Sequence, residues 1–214
     1  MTAKHHPDPS SLMSYAAGSL PEANAMVIAC HLSCCEHCRK MVSDAEAVGR
    51  SLLEQLEPVA MSEGSRNQML AMLDRIDPGS SHPVFRKDTG NIPVALQPML
   101  GEDLHKLHWR ALAPGMKQFV IPASVGKLRL LKITPGTSMP KHSHIGSELT
   151  LVLQGSYSDE LGRFCAGDVA DLDGDISHQP MADTQEDCIC LIATDAPLKF
   201  TGLIPRLLQP FFDL

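Results

Sequence analysis

Between Gly136 and Gly155 the chain carries a spacing that few folds can use. Five residues separate Gly136 from His142, one separates His142 from His144, three lead to Glu148, and six more reach Gly155. On a strand, His142 and His144 face the same way, because side chains alternate with a period of two. Glu148 arrives from the next extended segment, and Gly167 opens a further turn-and-strand unit that brings His178. Three imidazoles and a carboxylate turned inward from barrel strands suit zinc or another divalent transition metal such as Fe, Mn, Ni or Cu. The surrounding texture agrees. Residues 109–112, 116–121, 127–134, 149–153 and 188–192 are short apolar runs bounded by Gly, Pro and Asp, which predicts a β-sandwich or barrel.

The first third has a different character. Four of the seven cysteines lie between Cys30 and Cys38, with His31 and His37 among them. Read as H-x3-C-x2-C, the cluster offers His31, Cys35 and Cys38 to one ion, and thiolates with an imidazole select zinc over Mg or Ca. Cys30 and Cys34 are also four apart, so Cys34 can replace Cys35 in another local turn. Ser33 with Glu36 forms a capping box, predicting a helix from near Ser33 with Cys35 and Cys38 in its first turns. The helix N-terminus then favours the thiolate forms. His31 falls at the end of the preceding helix, so a metal would staple a helix–helix corner. A fourth ligand is needed, and spacing offers His5 or His6. The bland alternative is that these cysteines are small core residues.

Asp8 with Pro9 predicts a first helix, stopped by Gly18. Ser19 with Glu22 forms a second capping box, opening a helix through Ala23, Met26, Val27 and Cys30. The third helix spaces Met41, Ala45, Val48, Leu52 and Leu56 by three and four, and Pro58 ends it. A fourth starts at Ser65 and carries Met69, Met72, Leu73 and Ile76. Four short helices make a small core without a staple such as zinc. Residues 77–91, which include His82, read as a linker rich in Pro, Gly and polar residues. The expected organisation is α+β and multidomain: a zinc-stapled helical bundle over 1–76, that linker, and a barrel over 92–214. The apolar tail over 203–214 is expected to pack on the barrel or on a partner.

Of the 214 residues, 20% are charged and 43% hydrophobic, as in soluble globular proteins. The formal charge of −7 argues against nucleic-acid binding. No apolar run is long enough to span a membrane, and the N-terminus has no apolar signal region. Cysteines clustered beside histidines fit a reducing compartment, so the expected location is cytoplasmic.

The block from Gly136 to Gly155 matches the first motif of the cupin superfamily at every defining position. Gly167 and His178 match the glycine and histidine of the second motif, while Asp173, Asp175 and Ala182 depart from its proline, glycine and asparagine. His31, Cys35 and Cys38 match the signature of the zinc-binding anti-sigma domains, and His6 fits the upstream ligand of that signature. Both modules in this order resemble the ChrR-type anti-sigma factors over essentially the whole chain. The resemblance implies a cupin-type barrel and two metal sites, His6, His31, Cys35 and Cys38 for zinc and His142, His144, Glu148 and His178 for the barrel metal.

It also implies a regulator and not an enzyme. The helical part would bind one extracytoplasmic-function sigma factor, one to one, without contacting nucleic acid or membrane. The barrel would trigger release under oxidative stress of the singlet-oxygen kind. Sensing can rest on the barrel metal or on thiols, of which Cys188 and Cys190 share a strand face and Cys165 lies near the second motif. The rival class is a metal-dependent cupin enzyme, a dioxygenase or isomerase, with the zinc part as accessory.

Overall fold

Asp8 accepts a hydrogen bond from Ser10 N at 2.8 Å and so caps helix α1 (Pro9–Ala16), with proline in its first turn as the sequence predicts. The computed structural model describes residues 3–75, 92–101, 103–174, 176–196 and 198–200. The expected linker, His82, Ile76 and the tail over 203–214 lie outside them.

Helix α2 (Glu22–Cys34) is longer than its capping signals suggest. Ser19 and Glu22 form no capping box: Pro21 is the N-cap, and the Glu22 carboxylate instead accepts from Ser124 N and Oγ across the molecule. Ser33 does not open the next helix either. It lies in the last turn of α2, where its hydroxyl donates to Cys30 O at 2.7 Å. A hydroxyl satisfied by its own helix is not available as a cap. The chain breaks at Cys35, which is extended, and α3 (Glu36–Glu54) follows. α4 (Ser65–Leu73) starts after a left-handed Gly64, with no side-chain cap.

Beyond residue 92 come short helical turns over Val94–Leu96, α5 (Gln97–Leu100) and Leu104–Lys106. The strands then run in order: β1 (Arg110–Ala113), β2 (Met116–Ile121), β3 (Lys127–Ile133), β4 (His142–His144), β5 (Glu148–Gln154) and β6 (Ser156–Asp159). They continue with β7 (Gly162–Cys165), β8 (Val169–Leu172), β9 (Ser177–His178), β10 (Met181–Ala182), β11 (Cys188–Thr194) and β12 (Leu198–Phe200). One six-stranded sheet has the order β1-β2-β3-β11-β5-β8, faced by two three-stranded sheets, β10-β6-β7 and β12-β4-β9. Every pairing is antiparallel. Gly155, at φ +71°, turns β5 into β6, and a Cβ there would meet Asp187 O at 2.7 Å. Only glycine fits both conditions.

The large sheet is buried on both faces, which explains why β11 is an unbroken apolar run and not an alternating one. Cys188, Cys190, Ile192, Leu131, Ile133 and Val152 point into the barrel. Ile189, Leu191, Ala193, Leu128, Leu130, Leu149 and Leu151 point outward, into the same core as Ala23, Val27 and Ile28 of α2. Fully burying side chains such as Val27 and Ile28 contributes about 1.5–3 kcal/mol each. The helices therefore do not make their own small core. α2 completes its burial on the barrel. The stripe expected on α3 is largely unburied: Val42 and Cys38 are covered, but Val48, Leu52 and Leu56 are exposed. α4 buries none of its residues.

Candidate metal centres

Among the described residues, two groups of side chains converge closely enough to hold an ion, and in each the ligand atoms all lie within 4.8 Å of one another. The first joins His6, His31, Cys35 and Cys38. His31 comes from the last turn of α2, Cys35 from the break, Cys38 from the first turn of α3, and His6 from the segment before α1. His31 Nε2 lies 3.3 Å from Cys38 Sγ, and His6 Nδ1 lies 3.4 Å from the Sγ atoms of both Cys35 and Cys38. The N-to-S edge of a tetrahedral zinc site is about 3.5 Å, from bond lengths of roughly 2.0–2.1 and 2.3 Å.

The alternatives left open by spacing separate cleanly. Cys34 is exposed, and its thiol donates to His31 O within the helix. Cys30 is buried in the apolar core. His5 stacks on Phe164, centroid to centroid 4.3 Å, and His6 takes the place in the cluster. Burial pushes the Cys38 thiol up to about 12, helped by its hydrogen bond with Cys35 and by the nearby sulfurs of Cys35 and Cys34. The expected lowering by the helix N-terminus does not overcome that burial. Burial also lowers the pKa of His31 and of His6, so both imidazoles are neutral, ligand-ready groups near pH 7.

The second group joins His142 and His144 of β4, Glu148 at the start of β5 and His178 of β9. All four are buried. The register pairs His142 directly with His178, and their Nε2 atoms approach to 3.1 Å. Each ring is turned by a bond at its other nitrogen. His142 Nδ1 donates to Pro140 O at 2.9 Å, and His178 Nδ1 donates to Asp159 Oδ2 at 2.8 Å. That leaves Nε2 as the ligand atom in both, the usual orientation of metal-binding imidazoles. Glu148 Oε1 accepts from Thr150 Oγ1 at 3.0 Å, and Oε2 lies 3.5 Å from His144 Nδ1.

Neither ring nitrogen of buried His144 has a hydrogen-bond partner among the described residues. A buried imidazole left without one is costly, and a metal at one of its nitrogens would reduce that cost. Burial lowers the pKa of His142 and of His144, against a smaller upward pull from Glu148. The set therefore fits a divalent transition metal held by neutral imidazoles and one carboxylate. His142, Glu148 and His178 line a cavity of about 40 Å³ together with Leu131, Met139, Tyr157 and Cys190 among others.

The outer supports are not visible as local patterns in the sequence. Asp159 belongs to the β6–β7 hairpin, and only the fold brings it to His178. Burial would raise its pKa, but the bonds from His178 and from the backbone of Leu161 and Gly162 outweigh that and hold the carboxyl below its usual range. The thiols of Cys188 and Cys190 are buried 3.6 Å apart, and the hydrogen bond between them, with burial, pushes Cys190 well up. Cys165 is half-buried and unpaired in any disulfide.

Residues 97–197 match the family model described as the ChrR cupin-like domain. The chain is 45% identical over 215 aligned residues to the anti-sigma-E factor ChrR of Cereibacter sphaeroides, covering 100% of both chains. It also matches a chain in the crystal structure of Rhodobacter sphaeroides SigE in complex with the anti-sigma ChrR. That match has a TM-score of 0.77 at 39% identity and covers 91% of this chain and 100% of that chain. Full-length identity at this level, joined to a shared fold, has one consequence: the chain belongs to the ChrR family of anti-sigma factors.

Proposed function

We propose that this protein is a cytoplasmic anti-sigma factor that binds an extracytoplasmic-function sigma factor one to one, through its helical part. The observation that carries the reading is the uncovered apolar side chains of the later part of α3 and of α4. Val48, Leu52, Leu53 and Leu56 on and after α3, with Met69, Met72 and Leu73 on α4, are all exposed. So many exposed large apolar side chains on two neighbouring helices of the sequence mark a place where another protein sits. Family membership supplies the kind of partner. Zinc at His6, His31, Cys35 and Cys38 would fix the angle between α2 and α3 and so the face they offer. The division at 1–76, 77–91 and 92–214 assigns partner binding to the first part and sensing to the barrel.

In the same reading, the barrel metal held by His142, His144, Glu148 and His178 governs release under oxidative stress of the singlet-oxygen kind. The ion is zinc or another divalent transition metal, which would supply a Lewis-acidic centre inside the barrel. A cavity of about 40 Å³ has room for only a few water-sized groups, which suits a small reactive species better than an enzyme's substrate. The thiols of Cys188, Cys190 and Cys165 are a secondary route for the same signal.

Met69→Asp together with Leu73→Asp tests the binding surface. Both side chains are exposed, so the fold survives. Affinity for the sigma factor, measured by titration calorimetry, is expected to fall at least about 30-fold, the scale of an interface anchor. Unchanged affinity would remove α4 from the interface. For release, a photosensitiser and light are expected to dissociate the parent complex but not one carrying His144→Ala.

A further inference from the structure

The backbone of the segment that carries His6 is fastened to the barrel. Lys4 N and His5 N donate to Asp168 Oδ1 at 2.6 and 3.1 Å, and Val169 N donates to His5 O at 3.1 Å. Asp8 N donates to Asp171 Oδ2 at 2.9 Å. Residues 4–8 are thus fastened along the start of β8. The other oxygen of Asp168 accepts from Cys165 N at 2.9 Å, which closes the turn between β7 and β8. Asp168 is 2% exposed, so few waters can replace these bonds. The preceding Gly167, at φ +96°, turns its carbonyl towards His31, whose Nδ1 donates to it at 2.9 Å.

The two cysteines of the first centre come from the α2–α3 corner, while both imidazoles are oriented by a turn of the barrel. We propose that Gly167 and Asp168 are positioning residues of the first metal centre, so that the barrel sets how tightly the helical corner holds its ion. The proposal rests on the reading that His6, His31, Cys35 and Cys38 bind a metal.

The physical basis differs for the two imidazoles. The Gly167 carbonyl fixes the tautomer of His31 and points Nε2 at the cluster, the part that outer partners of metal-binding histidines commonly play. Asp168 acts on His6 through the backbone. By fixing the N–H groups of residues 4 and 5, it places His6 Nδ1 between the two sulfurs. Without it, residues 4 and 5 lose the bonds that order them, and the conformational freedom they regain has to be given up again on metal binding. The turn is in turn anchored to β5, since Gly167 N donates to Val152 O at 2.9 Å and Val152 N donates to Asp168 O at 3.1 Å. β5 begins at Glu148, a member of the second cluster. The same strand therefore carries one centre at its start and braces the other near its end.

The test uses the full-length protein titrated with Co(II). Thiolate-to-cobalt charge transfer reports only the first centre, because the second has no thiol among its four candidate ligands. For Asp168→Ala, Co(II) affinity read from that band is expected to fall about tenfold or more, with the barrel's own metal content unchanged. Asp168→Asn keeps one acceptor oxygen for residues 4 and 5 and is expected to fall about threefold, a partial rescue. Leu131→Ala, inside the barrel and away from the turn, is expected to lower thermal stability while leaving the cobalt titration as in the parent. A parental titration for Asp168→Ala overturns the proposal, and if that variant does not fold, a parental titration for Asp168→Asn overturns it equally. A parent protein with no charge-transfer band would sink the metal reading itself, a result distinct from either.

Discussion

The two centres are built from the same imidazole chemistry and differ in almost everything that surrounds it. The first joins segments that are separate in the chain, at a corner where His6 is half-buried and two ligands are thiols. The second lies wholly inside the barrel, with His142 and His178 facing each other in register and each ring turned by its own acceptor. The first has the donor set of a closed structural site, in which protein groups supply all four ligands and none is left for chemistry. The second has a mixed donor set that lines a cavity, so an ion held there would lie open to a small molecule. In the proposed reading, one centre would hold a shape and the other would report an event.

Stripping each centre separately tests that division and has the largest expected effect. Cys35→Ala with Cys38→Ala removes the corner, and affinity for the sigma factor is expected to fall at least about 100-fold, because structural zinc contributes folding free energy directly. His142→Ala with His144→Ala leaves the helical face in place, and affinity is expected to stay within about threefold of the parent. Surface-immobilised sigma factor reads both. Equal losses in the two variants would break the comparison and make the barrel part of the binding surface.

A smaller and more graded contrast follows from proton release. Cys38 has its thiol pushed up to about 12, so at any pH below that, a metal must displace its proton. Affinity at the first centre is therefore expected to rise about tenfold per pH unit from Cys38 alone, and to fall by the same factor on acidification. The barrel imidazoles behave oppositely in this range. Burial lowers the pKa of His142 and His144 from 6.5, so both are already neutral at pH 7 and give up no proton to a metal between pH 7 and 8. Competition with a chelator of known pH dependence should show a steep slope for one centre and none from these two imidazoles at the other. A flat profile at the first centre would mean that Cys38 is not a ligand.

The residues that carry this contrast were unequally legible in the sequence. The candidate ligands were readable because metal chemistry imposes both residue type and short-range spacing, as in His142 and His144 or Cys35 and Cys38. Helix starts were less so. Ser33 and Ser19 both satisfy a capping pattern, yet Ser33 bonds inside α2 and Glu22 is drawn away to Ser124. Propensity near a terminus is worth about 1 kcal/mol, and long-range contacts outweigh it easily. The burial of α2 against the outer face of the large sheet was hidden for another reason. Residues such as Leu128, Leu149 and Ile189 are apolar on either reading, and nothing local says that a helix covers them. Asp159 and Asp168 were invisible as supports, since each reaches its histidine or its backbone partners only through the fold.

Asp159 gives the smallest and most selective test of the comparison. Its carboxylate accepts from His178 Nδ1 at 2.8 Å and from the Leu161 N–H of the β6–β7 turn at 2.9 Å. Asp159→Asn keeps an oxygen for one of these donors and removes the charge that makes the His178 ring a stronger ligand. Metal affinity of the barrel is expected to fall about tenfold, the lower end of what outer partners contribute. The first centre shares no residue with that hairpin, so its cobalt charge-transfer titration is expected to remain parental. The pairing with Asp168→Ala is what gives the test its force. One carboxylate on each side of the β6–β8 region should loosen one centre and spare the other, and the two variants should do so in opposite directions. If Asp159→Asn loosened both, the barrel would be transmitting strain from its metal to the helical corner, and the separation of holding from reporting would have to be replaced by a single linked unit.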